Sequence, residues 1–147
     1  MENANRVSIL FLCTGNACRS QMAEGWAKAI KADSIAAYSA GVAPHGVNPL
    51  AVEVMREVGV DISQNISKHV DSLKDQKFDF VVTVCDGARE VCPVFPGSTT
   101  HRHVPFEDPP QLALKAENES EALECYRKVR DEIREFIKQL PEVLWAR

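Results

Sequence analysis

Phe11-Leu12-Cys13-Thr14-Gly15-Asn16-Ala17-Cys18-Arg19-Ser20 joins an apolar run, Val7 to Leu12, to a helix-forming stretch from Gln21. The run is unbroken and β-favouring, as expected of a parallel strand buried on both faces. In the polar loop that follows, Cys13 and Arg19 are separated by five residues, Thr14 to Cys18. That spacing suits a loop closing around a tetrahedral oxyanion. Successive backbone N–H groups of such a loop form a nest, and the following helix adds its positive N-terminal end. Arg19 brings a planar fork of donors. Cys13, in the same positive field, is expected to stand largely as thiolate, the nucleophilic form. The chemistry suggested is thiolate attack on a bound phosphate or arsenate. Taken singly, a cysteine at a strand end is usually a small buried hydrophobe, and an arginine at a helix start is usually a surface residue. The specific signal is the combination of strand, Cys-x5-Arg-Ser, internal Gly-Asn and amphipathic helix.

Outward from the loop, Met22 or Ala23, Trp26, Ala27 and Ile30 recur on one helical face. Ile35 to Ala40 reads as a second strand closed by Gly41, and Gly41 to Asn48 as a loop in which His45 has no evident partner. Asn48-Pro49 starts a helix, with Asn as cap and Pro in the first turn. Its face is Ala51, Val54, Met55 and Val58, and Gly59 supplies the stop. Ser63 to Asp75 is polar with room for a short helix. Phe80 to Val84 is the third strand, His101 to Phe106 a short fourth, and Glu107-Asp108-Pro109-Pro110 a loop. A last helix from near Ser120 carries Leu123, Tyr126, Val129, Ile133, Phe136, Ile137 and Leu140 as its buried stripe. Its charges, such as Glu132 and Arg134, read as a solvated face. Strands alternating with helices give a four-stranded parallel α/β sheet in a three-layer, Rossmann-like arrangement. Ligands in such sheets sit beyond the carboxyl ends of the strands. Cys13 and Cys85 both fall there, so one crevice should hold them.

The 147 residues fit a single domain, 1–147, with an ordinary core, and 45% hydrophobic with 26% charged content reads as globular. No apolar run approaches the roughly 20 residues needed to span a bilayer. The first six residues, Met1 to Arg6, do not read as a signal peptide. A cytoplasmic monomer without membrane association is expected. The net charge of −4 disfavours nucleic acid as partner. Five cysteines, an odd count, argue against a secreted disulfide framework. No Cys/His quartet has zinc-ligand spacing.

Cys85 and Cys92 lie seven residues apart. Were the stretch helical, their side chains would share a face about 10.5 Å apart along the axis, whereas a disulfide needs Cα atoms within ~7 Å. A bond between them therefore requires the intervening turns to unwind. Gly87 inside, and Pro93, Pro96 and Gly97 beyond, are compatible with low local stability. By spacing alone, a redox switch and two unrelated thiols remain equal readings. Cys18 and Cys125 are assigned no chemistry. For a proton donor, Asp108 on its proline-stiffened loop is favoured over Glu107, His101 and His103, although Asp-Pro is also a common turn.

The string Cys13 to Trp26 resembles the thioredoxin-coupled arsenate reductases, which share the fold of the low-molecular-weight protein tyrosine phosphatases. The similarity continues through Tyr38-Ser39-Ala40-Gly41, His45-Gly46-Val47-Asn48-Pro49, Glu57 to Ser63, Val81 to Cys85, Cys92-Pro93, Phe106 to Pro109 and Arg127 to Ile133. The resemblance implies that Thr14, Gly15, Asn16, Ala17, Cys18, Arg19 and Ser20 bind arsenate, with phosphate or sulfate as analogues. It further implies attack by Cys13, proton donation by Asp108, stabilisation of the Cys13 thiolate by Ser20, and maintenance of the loop's shape by Asn16. A Cys13–Cys85 disulfide would form as arsenite leaves, then a Cys85–Cys92 disulfide that thioredoxin reduces. No bound cofactor is implied. Some members hold potassium through Asn, Glu, Ser and Asp. Asn16, Glu24 and Ser39 match the first three, but Lys68 stands at the fourth, where its ammonium is expected to oppose potassium and replace its charge. The rivals are a tyrosine phosphatase, a reductase coupled to a small thiol, and a non-catalytic oxyanion or redox sensor. Weak phosphatase activity is expected beside arsenate reduction.

Overall fold

The apolar run lies at the centre of the sheet. In the computed structural model, which describes residues 6–86, 92 and 95–145, Val7–Cys13 (β1) pairs in parallel with Ile35–Gly41 (β2) and with Phe80–Thr83 (β3). Thr100–His103 (β4) extends the sheet beyond β3, giving the order β2-β1-β3-β4. Ile9, Leu10, Phe11 and Leu12 are fully buried. Both faces of β1 are covered, so its sequence shows continuous hydrophobicity where a half-exposed strand would alternate.

Five helices accompany the strands among the described residues: Arg19–Ile30 (α1), Pro49–Glu57 (α2), Pro109–Leu112 (α3), Glu119–Lys138 (α4) and Glu142–Trp145 (α5). A 3₁₀ turn, Val70–Leu73, falls within the polar segment expected to hold a short helix. Asn48 caps α2 by accepting from the N–H of Leu50 and Ala51 at 2.8 and 3.4 Å. Asn118 caps α4 through the N–H of Glu121, whose own carboxylate accepts from Glu117 N–H. α1 and α2 both pack on α4. Leu123, Tyr126, Val129, Ile133 and Ile137 of α4 are buried in that contact. Truncating one of the fully buried members, such as Ile133, to alanine costs about 2–5 kcal/mol.

Several expectations shift. The fourth strand stops at His103 instead of Phe106. Val104 N–H and Phe106 N–H still reach Thr83 and Val84 carbonyls, but Pro105 between them has no N–H, so the ladder is interrupted. The 107–110 stretch is not all loop: Asp108 is the N-cap of α3, with Pro109 in its first turn. α1 begins at Arg19, two residues before Gln21. Ile30, at its far end, is 42% exposed and lies off the packed stripe, and Phe136 is only partly buried. Arg130 belongs to the core side of α4: its Nη1 donates to Val54 O and Glu57 Oε1, both at 3.0 Å. The carbonyl of the same residue accepts from Trp26 Nε1. No described helix is long and apolar enough to cross a membrane.

Candidate active site

The loop from Cys13 to Arg19 is held from outside by its carbonyls. Those of Cys13, Thr14, Gly15 and Ala17 accept from the backbone N–H of Val42, Ala43, His45 and Asn48 at 2.8–3.2 Å. Asn16 O accepts from Gln21 Nε2, and Gly15 O also from Ser67 Oγ. In a planar trans peptide the N–H points opposite to the C=O. The four carbonyls turned to the 42–48 segment therefore direct the N–H groups of Thr14, Gly15, Asn16 and Cys18 away from it. An inward nest of amides at the start of α1 is a ready anion site. The clamping segment 42–48 was readable only as a loop, because its work is done by main-chain groups that carry no sequence signature.

Two glycines permit this closeness. A Cβ on Gly41 would lie 2.7 Å from Asn16 N and from Thr14 O. One on Gly15 would lie 2.3 Å from His45 Nε2. His45, given no partner from the sequence, thus rests against the loop and lines the cleft.

That cleft, of about 340 Å³, is lined by Cys13, Thr14, Gly15, Ala17, Cys18, Arg19, His45 and Asp108, among others. Arg19 bridges its two sides. Its Nη1 donates to Phe106 O at 3.0 Å, and its Nη2 stands 3.4 Å from Asp108 Oδ1. Asp108 makes no side-chain capping bond at α3, so its carboxyl remains directed to the cleft and Arg19. The side chains of Asn16 and Ser20 do not line the cleft; both are fully buried behind it.

Behind Cys13 runs a chain of polar side chains. Ser20 Oγ lies 2.9 Å from Cys13 Sγ, and Asn16 Nδ2 donates to Ser20 Oγ and to Ser39 Oγ. Ser39 donates to Glu24 Oε1. Lys28 Nζ meets the other carboxylate oxygen at 2.6 Å. Asn16, at a left-handed φ of 47°, also accepts Lys68 N–H on Oδ1. Asparagine tolerates that conformation better than most residues. Lys68 therefore touches the cluster through its backbone, while its ammonium faces Ile66 O. The cation beside Glu24 is Lys28, one helical turn on. With both Glu24 oxygens engaged and an ammonium already paired to the carboxylate, the donor set does not suit potassium. Among the described residues no three His, Cys, Asp or Glu side chains cluster as metal ligands.

The cysteines separate by environment. Burial, then the charges of Asp108 and Cys13, push the Cys18 thiol far above its ordinary value. Cys85 is buried, and its Sγ lies 3.1 Å from the hydroxyl of Thr14, the residue after Cys13. Cys92 is partly buried, with Sγ 3.7 Å from His101 Nδ1. Burial pushes its thiol up to about 11. Residues 87–91, 93 and 94, on which the reading of an unwinding helix rests, lie outside the described residues.

Residues 8–146 match the family described as low molecular weight phosphotyrosine protein phosphatase. An arsenate reductase of Halalkalibacterium halodurans is 48% identical over 139 residues, covering 94% of this chain and 97% of that one. A solved arsenate reductase in the phosphate-binding state superposes with a TM-score of 0.71 at 32% identity, over 91% of this chain and 95% of the other. A thioredoxin-dependent arsenate reductase of Corynebacterium glutamicum gives a TM-score of 0.66 at 28% identity, over 94% of this chain and 63% of that one.

Proposed function

Because the chain belongs to the low molecular weight phosphotyrosine protein phosphatase family, and its close relatives include arsenate reductases, we propose that it reduces arsenate to arsenite at the Cys13 loop. The observation that carries this reading is the second thiol against the first loop: Cys85 Sγ sits 3.1 Å from Thr14 Oγ1. Ester hydrolysis has no use for a thiol there, whereas reduction needs a second thiol to close a disulfide on Cys13, and Cys85 supplies it from within the chain.

Arsenate enters the nest of loop amides, with Arg19 turning its fork from Phe106 O and Asp108 to two oxyanion oxygens. Cys13 thiolate, held by the Ser20 hydroxyl, attacks arsenic, and Asp108 gives its proton to the departing hydroxyl. Cys85 thiolate then attacks Cys13 sulfur. The S–As electron pair passes to arsenic, which leaves as arsenite, and a Cys13–Cys85 disulfide remains. Cys92 attacks Cys85, freeing Cys13 as thiolate and leaving a Cys85–Cys92 disulfide. A thioredoxin dithiol reduces it, in keeping with the thioredoxin-dependent structural neighbour. The reaction requires no resident metal or cofactor, and its setting is arsenic detoxification in the cytoplasm by a monomer.

A weak phosphatase activity accompanies this, since Cys13, Arg19 and Asp108 are the groups that phosphate ester transfer needs. The test is arsenate-dependent NADPH oxidation with thioredoxin and thioredoxin reductase. Sustained oxidation by the parent, slowed about 10²–10⁴-fold in Asp108→Ala, is the expected result. A parent inert to arsenate that turns over p-nitrophenyl phosphate would replace the reductase reading with a phosphatase.

A further inference from the structure

Cys92 must ionise to attack, yet burial holds its thiol above the neutral range. Some group has to take the proton. The cleft that Cys92 lines, about 270 Å³, is bordered by Thr83, His101, Arg102 and His103. It contains two imidazoles with different commitments. Both nitrogens of His103 are engaged, Nδ1 with Thr83 Oγ1 at 2.7 Å and Nε2 with Asp86 Oδ1 at 2.8 Å. His101 instead turns Nδ1 to Cys92 Sγ at 3.7 Å, on an exposed ring.

We propose that His101 is the general base for Cys92, taking its thiol proton as the Cys13–Cys85 disulfide is exchanged for Cys85–Cys92. This rests on the arsenate reductase reading and adds a catalytic residue to it. The step requires the Nε2–H tautomer, with the Nδ1 lone pair facing sulfur. The S–H proton moves to Nδ1, the Cys92 electron pair forms the bond to Cys85 sulfur, and the Cys13–Cys85 bond breaks with its pair going to Cys13. Oxidation state is conserved: one disulfide is consumed and one made. The exposed ring then passes the proton to water. Among the described residues, the other charged or titratable groups facing the pair are Arg102, whose Nη1 donates to His101 O, and His103 with Asp86. Phe95 flanks the ring, and Phe136, Val143 and Leu144 of α4 and α5 line a neighbouring cleft with His101 and Arg102; none of these four is titratable.

The test follows single-turnover disulfide exchange without thioredoxin. Parent and His101→Gln are mixed with arsenate, quenched with acid and alkylated at intervals. Cys13–Cys85 and Cys85–Cys92 are then counted by peptide mass spectrometry from pH 6 to 10. In His101→Gln the first disulfide should accumulate and the second form roughly 10–100-fold more slowly at pH 7, with the deficit closing as pH rises and Cys92 ionises unaided. Added imidazole should restore part of the rate, which a purely structural loss would not allow. Equal rates and equal pH profiles in parent and variant would overturn the role of His101 and leave the reductase reading intact. A parent that forms neither disulfide with arsenate would overturn both.

Discussion

Ser20 Oγ stands 2.9 Å from Cys13 Sγ, while Asn16 Nδ2 donates to that same oxygen from 2.8 Å. A hydroxyl has one proton and two lone pairs; with Asn16 filling one lone pair, the proton is left to serve the sulfur when Cys13 is a thiolate. In the proposed mechanism Ser20 therefore serves as a donor to the Cys13 thiolate.

Removing that proton should make Cys13 less reactive without unfolding the loop. A hydrogen bond to a charged group contributes about 1.5–3 kcal/mol, so Ser20→Ala should slow alkylation of Cys13 by iodoacetamide at pH 7 about tenfold or more. Mapping the modified peptide isolates Cys13 from the other thiols. An unchanged rate would remove Ser20 from thiolate stabilisation.

Gly41→Ala tests the fit of the loop against β2. Its Cβ would press on backbone atoms of Asn16 and Thr14 at 2.7 Å, which cannot rotate aside as a side chain would. Overpacking of this kind costs about 1–3 kcal/mol. Both thermal stability and affinity for phosphate, read by calorimetry, should fall. A variant with parental phosphate affinity would show that the loop tolerates displacement from β2.

Much of this site was legible because its chemistry is local in sequence. Strand β1, the loop and α1 are contiguous, and apolar continuity, Cys-x5-Arg and helical spacing each announce one of them. Lys28 was not legible in its role. Alignment of motifs pointed to Lys68, but the carboxylate of Glu24 is reached by the lysine one turn along the same helix, a neighbour defined by side-chain reach. Arg130 was likewise hidden: a charge on an amphipathic helix reads as solvated until Glu57 and Val54 O are seen to receive it. The early end of β4 was available in principle, since Pro105 removes a ladder donor.

Lys28→Met should leave the buried Glu24 carboxylate with Ser39 alone. Stranding a buried carboxylate is destabilising, and because Lys28 is itself exposed the expected loss is modest, about 3–6 °C in Tm. The parent, whose Glu24 already has its cation, should melt at the same temperature in potassium and sodium chloride at equal ionic strength. A parent stabilised selectively by potassium would contradict the assignment of Lys28.

Glu57 links α2 to α4. Hydrogen bonds from Arg127, then Arg130, hold its carboxyl below the ordinary value of 4.5. A depressed folded value means that the charged form stabilises the fold above the ordinary value, and that this contribution is lost as pH falls through the folded one. Glu57→Gln should lower Tm by about 2–4 °C at pH 7, a modest effect for a solvent-screened group. The gap from the parent should close as pH is lowered below 4.5. A gap independent of pH would assign the loss to shape instead of charge.

The most direct measurement of the three-thiol mechanism is arsenite produced per enzyme by Cys92→Ser in the presence of thioredoxin, thioredoxin reductase and NADPH. Cys85 and Cys13 remain, so one arsenite should be released per molecule. The chain should then stop as the Cys13–Cys85 disulfide, whereas the parent continues for many turnovers. Sustained thioredoxin-driven production of arsenite by Cys92→Ser would contradict the shuttle through Cys92.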